Sequence, residues 1–182
     1  MQSTSIEHKL LFRHPNKDDG VAIHRLIDAC KPLDLNSVYN YLLLCTHFSS
    51  SCLVAELDGE IQGFVSGYIK PAQAGGDPEI FQSQDASSSS ASTYFLWQIA
   101  IGAPLRGQGM GLRLIEQVLA SASCAQVQAL ETSITPSNQA SWALFRSFAR
   151  QRQASLQSAD WFSAAQLGGE HEPEHLLRIS WA

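Results

Sequence analysis

The sequence predicts a single α/β domain, in the mixed α+β sense: one central mixed sheet with helices on both faces. Two observations support that fold class. Apolar segments follow one another in the order strand, two helices, three strands, helix, strand, helix, then one or two strands. In addition, a glycine-rich turn, Arg106-Gly107-Gln108-Gly109-Met110-Gly111, joins an apolar strand to an amphipathic helix. That order gathers free backbone N–H groups at a helix N-terminus, where aligned peptide dipoles favour an anion. The turn has too few glycines for a P-loop and lacks the Gly-Lys-Ser/Thr ending.

Each element has a local reason. Leu10-Leu11-Phe12 lies between polar ends and makes His8–His14 a first strand. Asp18-Asp19-Gly20 opens a helix whose Val21, Ile23, Leu26, Ile27 and Cys30 share a face, and Pro32 stops it. Ser37 is a good N-cap for a second helix running to about Phe48. Cys52–Leu57 and Ile61–Ile69 are strands joined by Asp58-Gly59, a hairpin signal. Lys70–Ser92 contains Pro71, Gly75-Gly76, Pro78 and four consecutive serines. It buries little apolar surface and reads as a long mobile loop. Tyr94–Ile101 is the central strand, and Gly109–Ser121 is a helix with Leu112, Ile115, Val118 and Leu119 at helical spacing. Val127–Ile134 is a strand, and Pro136-Ser137-Asn138 opens a helix carrying Trp142, Phe145 and Phe148. Trp161-Phe162 lies in a short strand or turn, and His175–Trp181 is the closing strand.

Composition narrows the partners. At 182 residues the chain is long enough for one domain with a real core. The net charge of -5 and pI of about 5.6 come without any basic cluster, so no nucleic acid is expected. Cys30, Cys45, Cys52 and Cys124 form no C-x-x-C pair and read as small, buried, reduced hydrophobes. Met1–His8 carries no charged-then-apolar signal pattern and no run reaches the length of a membrane span. A cytoplasmic location without membrane contact is expected. His171-Glu172-Pro173-Glu174-His175 spells H-E-x-x-H. That zinc motif works on a helix, which Pro173 opposes, so no metal is expected.

The spacing Arg106-x-x-Gly109-x-Gly111 resembles the acyl-CoA pyrophosphate loop of the GNAT superfamily of N-acetyltransferases. Other stretches sharpen the likeness: Lys31–Ser37, Tyr39, Tyr41–Cys45, Gly63–Ile69, Leu130–Thr132, Thr135–Asn138, and Gly168-Gly169 followed by His171–Glu174 and Arg178-Ile179. Together they resemble the L-2,4-diaminobutyrate acetyltransferases, a GNAT family, over nearly all of Phe12–Ile179. The chain departs from that family in the length of Lys70–Ser92, in His24 where an aromatic is usual, and in Glu170 between Gly169 and His171.

The resemblance implies the GNAT fold and acetyl-CoA-dependent acetylation of the γ-amine of L-2,4-diaminobutyrate, by direct transfer in a ternary complex. The product lies on the way to the compatible solute ectoine, and a homodimer is expected. In that fold the strands matching Tyr94–Ile101 and Val127–Ile134 splay, and pantetheine pairs with backbone around Ile99, Ala100 and Ile101. Backbone N–H groups of Arg106, Gly107, Gln108, Gly109, Met110 and Gly111 would cradle the pyrophosphate, with Arg106 adding charge or simply facing solvent. Asn138 would meet pantetheine, cap its helix, or do both.

The acceptor side calls for carboxylates that pair with nitrogen. Asp34 and Glu174 fill that role, with His171 as helper and Trp97 as an apolar wall. The base is either Glu174 or Glu131. Phe145 stands where many GNAT enzymes have a tyrosine that protonates the departing thiolate. Tyr39 is then the acid or positions the amine, or else packs half-buried with a bonded hydroxyl. Two other functions stay open: a GNAT enzyme for another small diamine or amino compound, and a non-catalytic acyl-CoA-binding module.

Overall fold

The computed structural model describes residues 9–71 and 92–181. Its strands are β1 (Leu10–Arg13), β2 (Leu53–Leu57), β3 (Glu60–Ile69), β4 (Ser92–Ile101), β5 (Val127–Ile134), β6 (Ser155–Phe162) and β7 (Glu174–Ser180). Its helices are α1 (Gly20–Asp28), α2 (Val38–His47), α3 (Met110–Leu119) and α4 (Gln139–Gln151). The strands form one sheet in the order β1-β2-β3-β4-β5-β7-β6. The β4–β5 ladder is parallel, and β1–β2, β2–β3, β5–β7 and β6–β7 are antiparallel. This is the mixed sheet that the element order predicts.

The described residues divide into two compact units, one running to Ser66 and including Gln98–Ser121, the other comprising Gly67–Trp97 and Ala122 onward. In the first unit, Ser37 caps α2 by accepting from Asn40 N–H, as expected. The β2–β3 hairpin turns through Asp58 and Gly59, both at positive φ (53° and 89°), a backbone state that glycine and short polar residues tolerate. Ile23, Leu26, Ile27 and Cys30 of α1 and Tyr41, Leu44 and Cys45 of α2 pack on Val54 and Phe64. The next pair along the ladder, Ala55↔Gly63, faces the opposite way, and a side chain at Gly63 would come within 3.1 Å of Leu114 on α3. Helices therefore cover both faces of the sheet within this unit.

One ion-pair network fixes how the chain enters α1. Asn16 and Asp19 form a capping box at a 3-10 turn over Lys17–Asp19. Arg13 on β1 then grips Asp19 with both terminal nitrogens (2.7 and 2.9 Å), while its Nε donates to Glu56 on β2 at 2.9 Å. The Arg13 guanidinium holds the Asp19 carboxyl below the usual carboxylate range. Burial, aided by the charge of Asp19, pushes the nearby Cys45 thiol up to about 11, so it stays protonated and inert. All four cysteines are free and buried.

In the second unit, Tyr94, Leu130, Phe145, Phe148, Leu177 and Ile179 are almost wholly buried. Asn138 caps α4 by accepting from Ser141 N–H at 3.1 Å. The stretch expected as a short strand or turn at Trp161-Phe162 is a full strand, β6, in register with β7 from Ser155↔Ser180 to Phe162↔Glu174. Its Ser-Leu-Gln-Ser-Ala-Asp run has weak apolar alternation because an edge strand faces water along much of its length. The expected loop 70–92 lies outside the described residues from 72 to 91. Of its ends, Lys70 N–H donates to Thr93 O at 2.8 Å, and Ser92 already belongs to β4.

Replacing Asp19 with Asn is expected to cost about 2 kcal/mol at pH 7, the scale of hydrogen bonds to a charged group. Because the folded-state pKa of Asp19 is depressed, its contribution is full above the ordinary carboxylate value of about 4 and is lost as pH falls through the folded value. Urea melts of the two proteins should therefore converge toward pH 3; a gap that stays constant with pH would remove Asp19 from the acid response.

Candidate active site

The parallel ladder between β4 and β5 ends at Phe95↔Glu131, although β4 continues to Ile101 and β5 to Ile134. Residues 97–101 are thus released from pairing along that edge. Peptide groups that leave a ladder need other partners. On this partly exposed stretch, Ile101 O accepts from Arg106 Nε at 2.9 Å and from Cys30 Sγ at 3.4 Å. Ala100 is buried, while Ile99 and Ile101 are partly exposed.

After β4 the chain makes a 3-10 turn over Ala103–Leu105 and then the glycine turn. Gly107 and Gly109 sit at φ 74° and 69°, and no atom lies within 4 Å of where a Cβ would stand. These are left-handed positions that open a bare backbone concavity. Gly109 caps α3 without a side chain, and the first helical bond runs from Arg113 N–H to Gly109 O. The N–H groups of Met110, Gly111 and Leu112 therefore have no partner within the helix. Gln108 turns back to Pro104 O at 2.8 Å. Arg106 is exposed, its Nε donates to Ile101 O, and its Nη2 reaches Cys30 Sγ at 3.5 Å. Its observed role is to tie the turn to the end of β4. The open concavity, the uncapped N–H groups and the released strand edge fit an extended, amide-bearing ligand that ends in phosphate.

The same unit carries Asp34 and Tyr39. Asp34 is exposed, and its carbonyl accepts from the Gln98 amide at 2.7 Å. Tyr39, in the first turn of α2, is 69% exposed, which does not match the alternative of a half-buried packing residue. His24, at the position where an aromatic was expected, packs edge-on against Tyr41 with ring centroids 6.0 Å apart.

In the second unit, Trp97 is 43% exposed, His171 is exposed and Glu174 is half-buried at the start of β7. Glu131 is 2% exposed, with Lys70 Nζ on one oxygen at 2.7 Å and Arg178 Nη1 on the other at 2.8 Å. Both oxygens hold cations, which is the arrangement of a structural ion pair rather than of a waiting base. Burial, followed by the charge of Glu131, raises the Tyr68 hydroxyl. Phe145 is buried in the core at 2% exposure. Glu174 and His175 lie in a strand, so the H-E-x-x-H stretch does not put two histidines on one helical face; His175 pairs with Asp160 at 3.2 Å. Among the described residues, no group of three or more His, Cys, Asp or Glu is placed to hold a metal, and no helix is long and apolar enough to cross a membrane.

Tyr41, Gln98, Lys70 and Arg178 are not among the site residues that the sequence singles out, although Tyr41 and Arg178 lie in stretches that carry the family resemblance. Gln98 carried a signal, since it is the lone amide inside the apolar run Tyr94–Ile101. Lys70 carried none, because a cation just past a strand end looks solvated until its partner is known.

The acetyltransferase (GNAT) family model matches residues 21–149. The chain belongs to the GNAT acetyltransferase family. It is 50% identical to the L-2,4-diaminobutyric acid acetyltransferase of Halomonas elongata, over 93% of this chain and 80% of that protein. To the enzyme of the same name from Chromohalobacter salexigens it is 47% identical, over 96% and 83%. Membership therefore extends to the diaminobutyric acid acetyltransferases within GNAT. Among solved structures, it resembles the diaminobutyrate acetyltransferase EctA from Paenibacillus lautus, in complex with its substrate L-2,4-diaminobutyric acid and coenzyme A. That likeness has a TM-score of 0.80 at 30% identity, covering 94% of this chain and 95% of the other.

Glu131→Gln removes the shared counter-charge of Lys70 and Arg178. The expected loss is about 2–4 kcal/mol in urea unfolding, toward the low side for buried pairs because both cations keep access to water. A loss of acetyl transfer in a Glu131→Gln protein of undiminished stability would instead make it the base.

Proposed function

We propose that the chain transfers the acetyl group of acetyl-CoA to the γ-amine of L-2,4-diaminobutyrate, forming N4-acetyl-L-2,4-diaminobutyrate for ectoine synthesis. The single observation that carries this is the kinship at 50% identity across 93% of the chain, joined to the likeness to an enzyme solved with both diaminobutyric acid and coenzyme A. The family match takes in residues of both units, which supports treating residues 1–182 as one acetyltransferase domain.

Acetyl-CoA supplies the acetyl group activated as a thioester. The backbone of Ile99, Ala100 and Ile101 would receive its pantetheine arm, and a β4 N–H aimed at the thioester oxygen would stabilise the developing charge. The backbone of Gly107–Gly111 would hold the pyrophosphate, with Arg106 bracing the turn. Asn138 would offer its amide nitrogen to the pantetheine, since its oxygen already caps α4.

The acceptor ammonium is mostly charged at pH 7 and must lose a proton before it attacks. Glu174 is the favoured base because Glu131 is engaged by two cations. Asp34 and His171 would bind the acceptor's polar groups, and the exposed face of Trp97 would orient its short chain. The hydroxyl of Tyr39 would protonate the thiolate, a role the buried Phe145 ring has no proton to fill. Holding both substrates together supplies much of the acceleration. A homodimer acting in the cytoplasm in osmoprotection completes the proposal, and sedimentation velocity at assay concentration tests the dimer.

Thiol release from acetyl-CoA should depend on added diaminobutyrate and exceed that with ornithine or lysine by about tenfold or more in kcat/KM. Equal rates would sink the specificity, and CoA binding without release would make the chain a binding module. Asp34→Ala should raise KM for diaminobutyrate about tenfold while leaving that for acetyl-CoA within about twofold. Gly109→Val, which forces a branched side chain into a left-handed position, should raise KM for acetyl-CoA; an unchanged value takes the glycine turn out of the site.

A further inference from the structure

Gln98 lies on β4 with 8% of its surface exposed, and Tyr41 on α2 is fully buried. Their polar atoms close a ring with the loop ahead of α2. Asn36 N–H donates to Tyr41 Oη at 3.3 Å, and Tyr41 Oη–H donates to Gln98 Oε1 at 3.3 Å. Gln98 Nε2 then donates to Asp34 O at 2.7 Å. The direction of every bond is set by its ends, because a backbone N–H only donates and a backbone carbonyl only accepts. The residue on β4 must therefore both accept and donate, which an amide does and a carboxylate or alkyl group does not. The ring is walled by Phe64 and His24 against the Tyr41 ring, and Ser66 Oγ reaches Gln98 O at 3.5 Å.

We infer that Gln98 and Tyr41 are positioning residues for acceptor binding, pinning Asp34–Asn36 to the strand whose next three residues receive the acyl carrier. This rests on the acetyl-transfer reading above. The exposed Asp34 residue belongs to the pinned segment and the exposed Tyr39 follows it in the first turn of α2, so the segment's backbone position sets where the acceptor's nitrogen is held. Covalent continuity from Gln98 to Ile99 ties that position to the thioester site. Displacement of even about 1 Å between two reactants is costly in rate.

The test is steady-state kinetics of full-length Tyr41→Phe, Gln98→Leu and the double variant, with thermal melting of each. Each single variant should raise KM for diaminobutyrate about tenfold, equivalent to about 1.4 kcal/mol, and leave KM for acetyl-CoA within about twofold. The double variant should be no worse than the poorer single, because both substitutions break one ring. Tyr41→Phe removes only a hydroxyl and decides the matter if Gln98→Leu does not fold. An unmoved KM for diaminobutyrate, an equal rise for both substrates, or additive losses would each overturn the inference. If wild-type enzyme releases no thiol with diaminobutyrate, the acetyl-transfer reading itself falls; if wild type is active and the variants match it, only the positioning role does.

Discussion

The rest of this structure depends on the hydrogen-bond accounting of one strand. β4 pairs with β5 only as far as Phe95, then continues for six more residues to Ile101. An unpaired buried peptide group costs about 1–3 kcal/mol, so a strand that leaves its ladder must be met by something else. Arg106 and Cys30 meet it at Ile101 O. The remaining edge is complementary to an extended chain carrying amides, and the glycine turn that follows ends in helical N–H groups suited to phosphate. An acyl carrier with a pantetheine arm and a diphosphate has that same succession of chemistry.

Charge is sparse in this chain, 16% of residues, and the buried part of it is committed. Arg13 joins Asp19 and Glu56, and Glu131 joins Lys70 and Arg178. Each network links strands or brackets the entry to a helix, and each leaves its carboxylates occupied. Asp34 is different, since it is exposed and its backbone alone is held. Carboxylates buried against cations hold the scaffold, whereas the exposed Asp34 carboxylate is the one that the proposed function assigns to an amine ligand. That division separates Glu131 from Asp34 on physical grounds.

Local signals foretold most of the framework. Ser37 as an N-cap, Asp58-Gly59 as a hairpin turn and the apolar spacing of α3 each act within a few residues, and each formed where expected. In α1 the face holds for Ile23, Leu26, Ile27 and Cys30, but Val21, expected on it, is 48% exposed in the first turn. The strand Ser155–Phe162 did not announce itself, because its apolar alternation is weak and its order comes from β7 alongside. The two roles weighed for Asn138 are not exclusive: its oxygen caps α4, which leaves its nitrogen for other work. Arg106 is exposed, as one of its two readings has it, and its guanidinium also lies against a carbonyl five residues back. Sequence spacing does not report which way a long side chain turns.

What the sequence alone determined is everything written in short-range chemistry: the caps, the turns, the apolar faces and the glycines whose missing side chains leave a backbone bare. Residue type and spacing suffice there, because the partners are neighbours along the chain. Only the tertiary structure decided the pairings at long separation. Gln98 meets Asp34 across 64 positions, and Glu131 meets Lys70 across 61. Whether a buried amide or carboxylate serves the scaffold or the site depends on which groups the fold brings within about 3 Å, and that distance exists only once the sheet has formed.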